Sequence, residues 1–353
     1  MTDLLALTAS LVDIRSESHH EGPITDHLEN ILRAVPWLQV DRLGHNLVAR
    51  TSLGRAQRLI LAGHSDTVPV NLNHPSTLDG DVLRGCGSAD MKGGLAVMVE
   101  LARTVAEPVV DVTYVFYEAE EVASEFNGLG RLFRERAQWL AGDVAILGEP
   151  TDGDIEAGCQ GSMRAVLTVS GHRAHTARPW MGRNAVHRLA GPLERLAGYH
   201  ERRPIIDGLE FREAMSAVAV SGGVAGNVVP DSATLTVNHR FAPDRSAAEA
   251  EAHMRSVVAP SLEPDDRFEI VDCAPAAQPG LTHPLLRALI DRNQLEVRAK
   301  LGWTDVARFA EHGIPAVNFG PGDATIAHTR DELLHRAPLE RVFTSLKDLL
   351  TAI

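Results

Sequence analysis

Cysteine is scarce in this chain: Cys86, Cys159 and Cys273 are the three among 353 residues. An odd, widely spaced trio fits neither a disulfide framework nor a thiolate zinc site, so reduced thiols in a cytosol are expected. Positive charge is also short, with 34 Lys and Arg against 47 Asp and Glu and a formal net charge of −13. Nucleic-acid binding needs the opposite, cations concentrated to neutralise phosphates. The composition therefore points to a small-molecule partner and away from nucleic acid. No apolar run approaches membrane-spanning length, and the opening Met1-Thr2-Asp3-Leu4-Leu5 has an acid where a signal peptide would have basic residues. The expectation is a cytoplasmic protein with no membrane partner.

What remains is ordinary globular material, 44% hydrophobic and 23% charged, in a chain long enough for two cores. Helical spacing of apolar residues marks 3–15 and 24–35. Short apolar runs follow at 59–62, 112–116, 144–147 and 316–319, separated by helix-like stretches such as 91–105 and 129–140. That alternation predicts an α/β fold whose mixed, largely parallel sheet is covered by helices. The middle of the chain differs: 163–170 and 233–241 alternate like strands, and 184–199 and 246–258 repeat like helices. We expect residues 163–276 to be an α+β insert, with 1–162 and 277–353 forming one discontinuous domain around it.

Each short run ends in a potential ligand: Leu61-Ala62-Gly63-His64, Phe116-Tyr117-Glu118-Ala119-Glu120-Glu121 and Leu147-Gly148-Glu149-Pro150. In open α/β sheets ligands bind at the carboxyl ends of strands, so the three coincidences point to one crevice. Asp90 lies in the glycine-rich Gly85-Cys86-Gly87-Ser88-Ala89-Asp90-Met91-Lys92-Gly93-Gly94, where a carboxylate can bridge two ions, and His328 follows the fourth run through Gly320-Pro321-Gly322. Alone, each would suit a plainer role: His64 a packed histidine, Asp90 a helix N-cap, Glu149 a turn residue, Glu120-Glu121 a solvated helix start. Together they form a nitrogen and oxygen donor set suited to zinc or cobalt(II). A shared carboxylate would hold two ions roughly 3.5–4 Å apart, the spacing of two-metal hydrolases.

The motif Gly63-His64-Ser65-Asp66-Thr67-Val68-Pro69, with Asp90-Met91-Lys92-Gly93, Glu120-Glu121 and Glu149-Pro150, resembles the M20 metallopeptidase clan over nearly the whole chain. The resemblance implies a zinc-peptidase-like catalytic domain and a ferredoxin-like insert serving as dimerisation and lid domain. It implies two Zn2+, with Co2+ as a possible substitute: His64 and Glu149 on one, Glu121 and His328 on the other, Asp90 common to both. Asp66 would orient His64 through its other ring nitrogen, the Asp90–Met91 peptide would be cis, and Glu120 would be the general base.

The segments Glu149-Pro150-Thr151-Asp152-Gly153, Gly171-His172-Arg173-Ala174-His175-Thr176-Ala177-Arg178-Pro179 and Gly302-Trp303-Thr304-Asp305-Val306-Ala307-Arg308-Phe309 resemble the branch of the clan that removes succinyl groups from diamino acids. The implied reaction is hydrolysis of N-succinyl-LL-2,6-diaminopimelate to succinate and LL-2,6-diaminopimelate, in lysine and diaminopimelate biosynthesis. In that family the histidine matching His175 reaches the partner subunit's site and donates to the oxyanion, which requires a homodimer. Arg178, Arg240 and Arg308 are the candidate cations for the substrate carboxylates, and Asn227 matches a residue contributed near the partner's site. Departures from the better-known desuccinylases fall at Gly302-Trp303-Thr304-Asp305 and at Gly158-Cys159-Gln160-Gly161-Ser162, which lacks an arginine common there. Another amidohydrolase of the clan, acting on acetylornithine or acylated amino acids, is the nearest enzymatic alternative. A binding or regulatory protein that keeps the fold without catalysis is the other.

Overall fold

In the computed structural model, which describes residues 2–352, internal contacts divide the chain into two units. Met1–Ala157, Pro279–Arg298 and Arg308–Ile353 form one, and Gly158–Gln278 with Ala299–Ala307 form the other. The first unit contains the strands β1 (Gln39–Leu43), β2 (Asn46–Arg50), β3 (Arg58–His64), β6 (Asp111–Tyr117), β7 (Val144–Leu147), β8 (Ile155–Ala157) and β16 (Ala316–Asn318), with β15 (Val297–Ala299) up to Arg298. They make one mixed sheet in the order β1-β2-β6-β3-β7-β16-β8-β15. Its centre, β6-β3-β7-β16, is parallel, while β2 and β8 join antiparallel. Every residue of β6 is buried, the mark of a strand covered on both faces and the reason its sequence reads as a continuous apolar run. A small sheet of β4 (Thr77–Asp79), β5 (Val82–Arg84) and β17 (Leu333–His335) accompanies it.

Helices α1 (Leu4–Val12), α2 (Gly22–Arg33), α3 (Gly93–Thr104), α4 (Gly128–Arg136), α8 (Pro284–Asn293) and α10 (Arg336–Thr351), with α9 (Val306–Glu311) from Arg308 on, complete this part of the chain. Asp3 has a local task as the N-cap of α1, its carboxylate accepting from the Leu5 and Ala6 amides. Helix α3 begins at Gly93, later than the apolar periodicity predicts, because Asp90 and Met91 have non-helical backbone angles.

The second unit runs β9 (Gly161–Ser170), α5 (Ala185–Arg188), α6 (Ala190–Ala197), the short hairpin β10 (Ile205–Ile206) and β11 (Leu209–Glu210), then β12 (Ala214–Gly222), β13 (Ser232–Phe241), α7 (Ala247–Val258) and β14 (Arg267–Ala274). The long strands form an antiparallel sheet in the order β12-β13-β9-β14. Leaving the hairpin aside, the β-α-β-β-α-β succession with this order is the ferredoxin-like arrangement. Alternate residues of β9 and β13 are buried, and Leu167, Leu235, Val237, Phe241, Met254 and Val258 are among its core. The single helix expected at 184–199 is two, α5 and α6. Pro192 has no N–H to offer the Arg188 carbonyl, so the ladder breaks there. The strand β12 escaped the sequence reading because nearly all of its residues are exposed, leaving no alternation to read.

Candidate metal centre

Donor side chains follow from strand order. β6, β3 and β7 are neighbours in parallel register, with His64 opposite Tyr117 and Ala62 opposite Leu147, so the residues leaving their carboxyl ends emerge side by side. His64 is the last residue of β3. After β6 the chain turns at Ala119, which takes a left-handed φ of 58°, and presents the Glu120 and Glu121 amides to the buried Asp66. The Asp66 carboxylate accepts from Glu120 N at 3.0 Å, Glu121 N at 3.1 Å and Ser18 Oγ at 2.7 Å. Toward His64, whose Nδ1 faces it, Asp66 presents its backbone carbonyl at 3.1 Å and its carboxylate at 3.5 Å. Asp66 therefore fixes the Glu120-Glu121 backbone at least as firmly as it fixes the His64 ring.

Asp90 sits in the loop before α3, with φ −121° and ψ 94°, so it is extended chain and not an N-cap. The peptide to Met91 is cis. The loop is tied by Glu332, 2% exposed, whose carboxylate accepts from the amides of Gly87 at 3.1 Å, Ala89 at 2.9 Å and Asp90 at 3.1 Å. Sequence reasoning missed Glu332, since nothing local distinguishes it from any acidic residue in a loop. With its backbone held this way, Asp90 reaches both histidines: Oδ1 is 3.0 Å from His64 Nε2 and Oδ2 is 3.3 Å from His328 Nε2. His328, itself at a left-handed φ of 62°, has Nε2 2.8 Å from Glu121 Oε1.

The donors fall into overlapping groups, each with one donor atom per residue and all of these within 4.8 Å of one another: His64, Asp90 and Glu149; Asp90, Glu121 and His328; and His64, Glu120 and Glu121. Asp90 belongs to two of them. This crowd of carboxylates calls for positive charge. Burial lowers the pKa of His64, yet hydrogen bonds to Asp66 and Asp90 and the charge of Glu149 raise it well above its usual value. Hydrogen bonds to Asp90 and Glu121 push His328 up to about 10. Against burial, the two imidazoles hold Asp90 well below the carboxylate range. Imidazole and carboxylate donors without thiolate, set around an electrostatic demand for cations, are what a borderline divalent metal ion requires, so these residues could hold one.

The remaining candidates divide between the units. Arg308, on α9 in the first unit, donates from Nη2 to Ser124 Oγ at 2.7 Å. His175, Arg178, Asn227 and Arg240 belong to the second unit. There the exposed His175, Arg178 and Asn227 share one loop cluster. The Thr176 amide donates to the Asn227 carbonyl at 3.0 Å, and the Arg178 amide to the His175 carbonyl at 2.8 Å. The Ala177 amide donates to His175 Nδ1 at 3.0 Å, which leaves the proton of a neutral ring on Nε2, free to donate. Arg240, partly buried on β13, makes no salt bridge among the described residues, and burial lowers its pKa. In the departing segment Gly302-Trp303-Thr304-Asp305, the Trp303 indole N–H donates to the Pro275 carbonyl at 3.1 Å.

Against known proteins, residues 60–352 match peptidase family M20/M25/M40. The chain is 54% identical, over 99% of its own length and 97% of the other's, to a Mycobacterium tuberculosis protein provisionally named succinyl-diaminopimelate desuccinylase DapE. It is 45% identical, over 96% and 93%, to the succinyl-diaminopimelate desuccinylase of Corynebacterium glutamicum. Among solved structures it resembles the aminopeptidase PepT of Bacillus cereus, with a TM-score of 0.79 at 18% identity over 99% of this chain and 97% of that one.

Proposed function

Because the chain belongs to peptidase family M20/M25/M40, we propose that it is a di-zinc amide hydrolase that cleaves N-succinyl-LL-2,6-diaminopimelate into succinate and LL-2,6-diaminopimelate. The names of the mycobacterial and corynebacterial relatives support the substrate. The observation that carries the chemistry is the sharing of Asp90 between two donor groups, with Glu120 in a third beside them. In this reading His64 and Glu149 hold one ion, Glu121 and His328 the other, and Asp90 both. When bound, the ions supply Lewis-acid polarisation of the amide carbonyl and make water acidic enough to lose a proton near neutral pH.

The protein's own side chains do the rest. Glu120 takes the proton from the attacking water and returns it to the leaving amine nitrogen, which cannot depart as an anion. Asp66, by accepting both the Glu120 and Glu121 amides, holds base and ligand at a fixed offset. Arg178, Arg240 and Arg308 bind the substrate carboxylates, where a guanidinium offers two parallel donors. His175 Nε2–H donates to the oxygen on which charge develops, in the site of a partner subunit alongside Asn227.

A homodimer is part of this reading. The edge strand β12 exposes Val218 at 56% and Val220 at 53%, and in this reading a second copy across a two-fold axis would cover that edge. Mixing inactive Glu120→Gln and His175→Ala chains is expected to restore part of the activity; no recovery would remove the shared site. Among the described residues no helix is long and apolar enough to cross a membrane, and a biosynthetic hydrolase of this kind would work in the cytoplasm. The deciding experiment is an acyl-substrate panel on metal-depleted and zinc-restored protein. Succinate release restored by zinc is expected, whereas preferential acetate release would make the enzyme a deacetylase of the same family.

A further inference from the structure

A second set of metal-capable donors lies wholly within the second unit: Glu213, His239 and His253, each with a donor atom within 4.8 Å of the others. Topology brings them together. Glu213 directly precedes β12 and, like Met215, points to the buried side. His239 is paired with Met215 across the β12–β13 ladder and so looks from the same face. His253 comes from α7, which packs over that face.

The unusual feature is what these groups leave unmade. His239 is fully buried, yet neither ring nitrogen has a hydrogen-bond partner of good geometry; the Ala250 backbone offers it no more than a weak one. Glu213 is equally buried. Its Oε1 accepts from Arg202 Nη2 at 2.7 Å and the Ala242 amide at 3.1 Å, and faces Arg245 Nε at 3.1 Å, while Oε2 is unpartnered. A buried imidazole and a buried carboxylate oxygen, each lacking a well-formed partner, keep the cost of having left water if nothing fills the space between them. His253, partly exposed, offers a way in and has Nε2 3.3 Å from Tyr199 Oη. The rings of His239 and His253 are 5.5 Å apart.

We propose that Glu213 Oε2, His239 and His253 form a further binding site for a divalent transition-metal ion, zinc by donor chemistry, separate from the Asp90 centre. Two imidazoles and one carboxylate leave a fourth position of a tetrahedral site for water. Donors in such a site stand roughly 3.3 Å apart, so the present spacing closes with small side-chain rotations. The Arg202 and Arg245 guanidinium groups already answer the charge of Glu213, which makes this the weaker of the two sites and the second to fill. Its occupancy would tie α7 to the sheet through the partly exposed His253.

The test is equilibrium dialysis of the full-length protein against Zn2+ alone, with metal-to-protein ratios measured for the parent, for His253→Gln, and for a His64→Ala/His328→Ala background with and without His253→Gln. The expected result is one equivalent lost on His253→Gln in both settings, with hydrolytic activity unchanged in the first. Tyr199→Phe, which removes no proposed donor, should keep the ion. Equal ratios with and without His253→Gln in both settings overturn the site, and loss of the ion in Tyr199→Phe overturns this donor set. Because the background lacks two donors of the Asp90 centre, failure there and failure here are read separately. Should His253→Gln not fold, the parent protein crystallised with zinc decides the matter, through presence or absence of an anomalous peak among the three donors.

Discussion

Two clusters of histidine and carboxylate occupy this protein, and they are built on opposite electrostatic plans. Around Asp90, carboxylates outnumber imidazoles and lie 2.8–3.3 Å from them, so both histidines are driven toward the charged form. Around His239 a single carboxylate is already answered by Arg202 and Arg245, and burial drives the histidine toward the neutral form, with its pKa down to about 4. The same residue types thus give a centre that demands cations and another that offers lone pairs without demanding charge. Support differs as well. Asp66 and Glu332 each collect two or three backbone amides beneath the first cluster, whereas the second has the Ala242 amide on one oxygen.

The sharpest way to break the contrast is Glu120→Gln. If Glu120 is a base beside the Asp90 centre and not a ligand, kcat falls about 10²–10⁴-fold while zinc content stays at the parent value; loss of metal with activity would make it a ligand. Steady-state kinetics with metal analysis of the same preparation reads both. Next in size is the pH dependence of the second cluster in chelator-treated protein. The His239 pKa is depressed by burial in the folded state, with the nearby Arg245 and His253 lowering it further against the opposing pull of Glu213. The unfolded chain therefore binds the extra proton between about pH 6.5 and about 4, and stability falls as pH falls through that window. The full loss is on the order of 3 kcal/mol. Urea unfolding at stepped pH should show it, and His239→Gln should flatten it; an unchanged profile would mean the imidazole is already solvated.

Glu332→Ala tests the support of the first cluster. It leaves the Gly87, Ala89 and Asp90 amides without their acceptor, and removal of such an outer partner costs about 10–100-fold in metal affinity or activity. Competition with a chelator measures it, and excess zinc should recover much of the kcat. Parent-like affinity would reduce Glu332 to a fold contact. The smallest effect is expected from Tyr199→Phe, which removes a hydroxyl contact to a partly exposed His253 and should cost less than about 1.5 kcal/mol in thermal unfolding.

Much of this was legible in the chain, and for identifiable reasons. The central strands β3, β6 and β7 are buried almost throughout, so their sequences are dominated by apolar residues, and the ligand candidates stand out as polar residues at or within four positions of their carboxyl ends. Gly302-Trp303-Thr304-Asp305 and β12 were less legible. The first is a loop whose indole finds a carbonyl 28 residues away, and the second has almost no buried face to impose a pattern. The break between α5 and α6 could have been read from Pro192, because the missing N–H is a local fact.

The sequence by itself determined the parallel core and the candidate donor residues at its strand ends, since periodicity and strand-end position are properties of short stretches. Only the tertiary structure decided that Glu332 ties the Asp90 loop, that Asp66 grips two glutamate amides, and that Glu213, His239 and His253 meet. Such contacts join residues 242–245, 54–55 and 14–40 positions apart. Their partners are chosen by how the elements pack, and packing leaves no mark on either segment alone.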